Sequence, residues 1–111
     1  MKTAKQFQNE LNVLRKEIHN TTLDCIKRLL QDNNAVEIEC TECDSTPVIV
    51  QSTNEDDIAT LDIIRMVGEE IVLEYSNSYE CDEMFASDLS TDLLLNLYNW
   101  LEDNKDYVEF I

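Results

Sequence analysis

Gly68 is the single glycine in a chain of 111 residues, and Pro47 is its single proline. A backbone this poor in both has few positions where it can reverse with a positive φ at no steric cost. Gly68 lies between two runs of alternating apolar and polar residues, 59–67 and 70–75. Gly68-Glu69 between such runs predicts a two-residue hairpin turn with glycine first, the type II′ geometry. In that register Met66 faces Ile71 and Ile64 faces Leu73. Ile63, Arg65, Glu70, Val72 and Glu74 then share the opposite face. Other turns fall to Asn, Asp and Ser, as in Asn33-Asn34, Asp44-Ser45 and Ser76-Asn77-Ser78.

The same scarcity excludes several chemistries. A P-loop, a dinucleotide fingerprint and a nucleophile elbow each need more than one glycine. The single histidine, His19, sits beside an apolar helical stripe and reads as a boundary residue rather than a general base. With 24 acids in the chain, any two could be named a general acid and base, and nothing ranks the pairs. The chain therefore reads as a non-enzyme, with no catalytic residue assigned.

Upstream of the hairpin, residues 3–32 form one amphipathic helix. Phe7, Leu11, Leu14, Ile18, Cys25 and Leu29 recur at spacings of three, four or seven, widened by Ile26 and Leu30. Asn33-Asn34 ends it. Residues 35–40 alternate, with Val36, Ile38 and Cys40 against Glu37 and Glu39, as in a half-buried strand. Residues 46–51 give a second strand beginning at Pro47, and Asn54-Glu55-Asp56-Asp57 a turn. Residues 76–88 read as a polar loop containing Tyr79, Met84 and Phe85. Ser90 is an N-cap for a last helix over about 91–104, which carries Leu93, Leu94, Leu95, Leu97, Tyr98, Trp100 and Leu101. The expected fold is a single α+β domain over residues 1–111. It is a four-stranded antiparallel meander with the N-terminal and C-terminal helices packed on one face, in the order α-β-β-β-β-α.

Cys40-Thr41-Glu42-Cys43 is the one CxxC, and a structural zinc site would need two further ligands of the usual spacing. Cys81 stands apart and Cys25 belongs to the helical stripe. No metal ligand and no cofactor is assigned. Glu55-Asp56-Asp57 and Glu80-Cys81-Asp82-Glu83 lack the alternation and the glycine of a calcium loop. No stretch is apolar enough to span a bilayer, and the N-terminus has no apolar signal core, so a cytoplasmic location with reduced thiols is expected.

Charge carries most of the functional content. Residues 1–28 hold six bases and three acids, giving +3, whereas residues 29–111 hold two bases and 21 acids, giving −19. Such a body should repel nucleic acid and anionic membrane and attract basic protein surfaces. By class alone, a small acidic α+β chain resembles DNA-mimic inhibitors, immunity or antitoxin proteins and secretion chaperones, with no motif matched residue by residue. The expected function is a protein-binding module for a basic partner, docking through Glu37, Glu39, Glu70 and Glu74. The alternative is a dimeric chaperone or scaffold subunit that associates through the apolar last helix, with Trp100 beside Leu93 and Leu97. A small metal protein or enzyme ranks below both.

Overall fold

A computed structural model describes residues 1–40, 48–50, 59–77 and 80–111. The expected turn at 54–57, Cys43 of the CxxC and the ends of the strand at 46–51 lie outside the described residues. The chain folds as an α+β domain. A long helix, α1 (Ala4–Asp32), precedes an antiparallel sheet of β1 (Glu37–Glu39), β2 (Val48–Val50), β3 (Ala59–Val67), β4 (Glu70–Ser76) and β5 (Cys81–Phe85). A 3-10 turn (Ala86–Asp88), helix α2 (Thr91–Asn104) and a short strand β6 (Glu109–Phe110) complete it.

Both helices are bounded by their own side chains. At the start of α1 the Gln6 amide donates to Thr3 Oγ1 at 3.2 Å, and the Thr3 amide donates to Gln6 Oε1 at 2.7 Å, a reciprocal capping box. At its end Asn34 takes φ +50°, the left-handed conformation that asparagine tolerates. The Asn34 amide then reaches the Gln31 carbonyl at 3.0 Å and the Ala35 amide reaches Leu30 at 2.9 Å, the paired bonds of a Schellman motif. Helix α2 starts where Ser90 accepts from the Leu93 amide at 3.3 Å.

The hairpin has the register its pattern predicts: Met66 opposite Ile71, Ile64 opposite Leu73, Arg65 opposite Val72 and Ile63 opposite Glu74. Gly68 has φ +63° and Glu69 a negative φ, which is the sign pattern of type II′ and not of I′. Alternation breaks at Asp62. Leu61 pairs with Tyr75 and Ile63 with Glu74, so Asp62 is an extra residue on β3. That bulge turns Leu61 and Ile64, three apart, to the same side, and both are fully buried.

The sheet differs from a four-stranded meander. Six strands run in the order β5-β4-β3-β1-β6, with β2 also on β3. β1 and β2 do not pair with each other but follow one another along the same edge of β3, Glu39 opposite Ile63 and Val48 opposite Thr60. β5 arises from the segment expected to be loop. Its alternation is short, with Met84 turned inward opposite Leu73 while acidic Glu83 points outward, so polarity hides it. β6 comes from the apolar tail, clamped to β1 by the Ile111 amide on the Glu37 carbonyl at 2.8 Å.

One face of the sheet gives Ile38, Leu61, Ile64, Ile71 and Leu73 to a core completed by Ile26 and Leu30 of α1 and Leu94, Leu97 and Leu101 of α2. Both helices therefore cover that face. α1 does so only with its second half: Thr22, Ile26 and Leu30 are its buried residues, and every residue from 1 to 18 is exposed.

Candidate functional site: an acidic sheet face and an apolar helical seam

The uncovered sheet face is ordered by the register. One row across five strands reads Glu83, Glu74, Ile63, Glu39, Glu109. At the usual strand separation it spans about 19 Å. The adjoining row reads Phe85, Val72, Arg65, Glu37, and Glu70 lies beyond it opposite Val67. Glu37, Glu39, Glu70 and Glu74, singled out from the alternation, thus share one face. Glu83 and Glu109 join them because β5 and β6 extend the sheet. Their only signals in the chain are the brief alternations Glu83-Met84-Phe85 and Val108-Glu109-Phe110.

Arg65 stands in the middle of this face. Its guanidinium forks between Glu74 and Glu83, one terminal nitrogen to each carboxylate. Its Nε is buried and has no hydrogen-bond partner among the described residues. Six carboxylates against one guanidinium leave the described face strongly negative. The face is half apolar as well, with Ile63 half-buried, Val72 buried, and Phe85 and Val67 about half exposed. An open groove of about 570 Å³ follows its edge between Ile63, Glu74, Glu83, Cys81 and Tyr75. Burial, and then Asp82 and Glu80, push the Tyr75 phenol above its ordinary range. Carboxylates over an apolar floor can hold a lysine or arginine side chain by both its stem and its charge.

The last helix turns part of its apolar surface inward. Leu97 is fully buried, and Leu93 and Trp100 are half-buried against the core. Most of its leucines are taken up by the core and by α1, while Leu95 stays exposed. The exposed apolar residues cluster instead on α1, where Phe7 is 56%, Leu11 48%, Leu14 53% and Ile18 41% exposed. This seam runs into a cleft of about 410 Å³ between the helices, lined by Leu14, Ile18, Thr22, Cys25, Leu95 and Tyr98.

His19 is a strut. Its Nε2 donates to the Ser87 carbonyl at 3.0 Å, which leaves Nδ1 facing the Thr91 hydroxyl at 3.3 Å. It thereby ties α1 to the 3-10 turn and to the start of α2. Cys40 is fully buried in the core, where it acts as a small hydrophobe. Among the described residues no three His, Cys, Asp or Glu side chains converge as a metal site would need. No helix among them is long and apolar enough to cross a membrane. Compared with family models, curated proteins and solved structures, the chain matches none.

Proposed function

We propose that the chain is a binding module that docks its acidic sheet face on a basic protein partner, as inhibitors, immunity proteins and antitoxins of this class do, and that it carries out no catalysis. One observation carries this reading: the strand register gathers Glu37, Glu39, Glu70, Glu74, Glu83 and Glu109 on one face around Arg65. A field of one sign speeds encounter with an opposite surface and fades with salt. The apolar floor of Ile63 and Phe85 adds contact that salt does not screen. The engagement of His19 with Ser87 and Thr91 supports the non-catalytic reading. The setting we propose is cytoplasmic, with the thiols of Cys25 and Cys81 reduced.

The test is capture from native lysate at low and moderate salt, followed by titration of the captured basic protein. The variant changes Glu37, Glu39, Glu70 and Glu74 together to Gln. Affinity should fall steeply with salt for the parent chain and be weaker and much less salt-dependent for the variant, which keeps Glu83 and Glu109. A partner that binds both equally at every salt concentration overturns the proposal.

A further inference from the structure

We propose that the exposed seam of α1 is covered by a second copy of the same chain, paired antiparallel, so that the N-terminal half of each α1 lies in the α1/α2 cleft of the other. This is independent of the acidic sheet face, which stays open in such a dimer.

The seam is one line of side chains. Phe7, Leu11, Leu14, Ile18, Thr21 and Cys25 follow the alternating four-three spacing that keeps a stripe facing a partner helix. It is offset around the helix from the docked residues Thr22, Ile26 and Leu30, so folding of one chain leaves the seam exposed from Phe7 to Thr21 and only half-covers Cys25. Contiguous apolar surface of this kind on a soluble domain marks an interaction site.

Charge and shape select the occupant. The exposed arm, residues 1–18, carries Lys2, Lys5, Arg15 and Lys16 against Glu10 and Glu17, while residues 29–111 carry −19. The arm is thus the basic part of an acidic molecule, and the surface best matched to it is another copy's body. A parallel pair would set two strongly acidic bodies side by side. An antiparallel pair sends each arm toward the opposite body and holds the two bodies at opposite ends.

The geometry of the cleft agrees. α2 runs alongside α1 in the same direction, with Thr91 at His19 and Tyr98 beside Cys25 in the cleft. Glu102 and Asp103 therefore lie one turn further on, level with the last turns of α1. Antiparallel pairing centred between Leu14 and Ile18 sets Leu14 against Ile18, Leu11 against Thr21 and Phe7 against Cys25. Phe7 and Leu11 at the bare end each meet a smaller side chain toward the docked end, and the central pair is matched in size. In the same register Lys2 of one copy comes level with Glu102 and Asp103 of the other, where the C-terminus of α2 adds its own negative dipole. Parallel pairing would set Phe7 on Phe7 and Cys25 on Cys25, a seam too wide at one end and too narrow at the other.

The experiment uses the full chain. Sedimentation equilibrium should give twice the 12.9 kDa of one chain as concentration rises. Leu14→Asp and Ile18→Asp should each return the single-chain mass. Both positions are exposed in the folded chain, so circular dichroism should show an unchanged fold. Phe7→Cys, oxidised mildly at high concentration and mapped by mass spectrometry, should give a disulfide between position 7 of one chain and Cys25 of the other. A single-chain mass at about 1 mM, where even millimolar affinity would populate a dimer, overturns the proposal. So does a dimer that survives both aspartates, or a dimer cross-linked through Cys25 to Cys25.

Discussion

The two halves of α1 share one apolar periodicity and meet different fates. Residues 19–32 dock on the sheet and bury Thr22, Ile26 and Leu30, whereas residues 4–18 leave Phe7, Leu11, Leu14 and Ile18 to solvent. Periodicity reports which side of a helix is apolar. It does not report whether anything in the same chain is long enough to cover it. A 29-residue helix is about 43 Å long, and the core of a 111-residue domain has room for about half of that.

The sharpest way to test the contrast is to delete the same side chain from each half. Leu30→Ala opens a cavity in the core and should cost about 2–5 kcal/mol. Leu11→Ala removes an exposed side chain and should shift stability by less than about 0.5 kcal/mol in dilute solution. Denaturant unfolding measures both. If α1 pairs with a second copy, the cost of Leu11→Ala should grow with protein concentration while that of Leu30→Ala does not.

A smaller contrast comes from the helix ends. Asn34→Ala forces a side chain without local hydrogen bonding into φ +50°, at the docked end, and should cost about 1–2 kcal/mol. Thr3→Ala breaks a capping box at the bare end, where the first turn can fray on its own. Global unfolding should barely register it, although amide exchange in the first turn should quicken. Equal losses for the two would mean that the whole helix unfolds as one unit with the domain.

The smallest expected effect lies at the junction of the halves. Tyr98 donates to Glu102 at 2.8 Å, and that hydrogen bond, then burial, push its phenol from 10.0 up to about 12. Because the folded value lies above the unfolded one, the contribution is complete below pH 10 and is lost as pH climbs toward about 12. Tyrosine absorbance should show one late-titrating phenol, and Glu102→Gln should bring it down. If the late step survives in Glu102→Gln, the hydrogen bond is not its cause.

Local signals were legible wherever one residue type dictates a backbone conformation. Gly68 set the hairpin register, Asn34 stopped α1 and Ser90 started α2. The outward carboxylates Glu37, Glu39, Glu70 and Glu74 followed from alternation alone. What was not legible depends on contacts distant in the chain. β5 forms because β4 offers an edge to a segment whose own pattern is mostly acidic. β6 is two residues long and exists through its bonds to β1. The bulge at Asp62 shows only as a broken parity between Leu61 and Ile64. Leu97 looked available for a partner because the depth of the core beneath α2 cannot be counted from α2 itself.

The succession of β1 and β2 along one edge of β3 has a consequence for how the sheet is anchored. Glu39 and Val48 sit opposite Ile63 and Thr60, so the two ends of the intervening chain are anchored about 10 Å apart by a strand that neither of them contains. Their spacing is dictated by β3, not by the number of residues between them. Each strand is registered on β3 separately, so a slip in one would leave the pairs of the other in place.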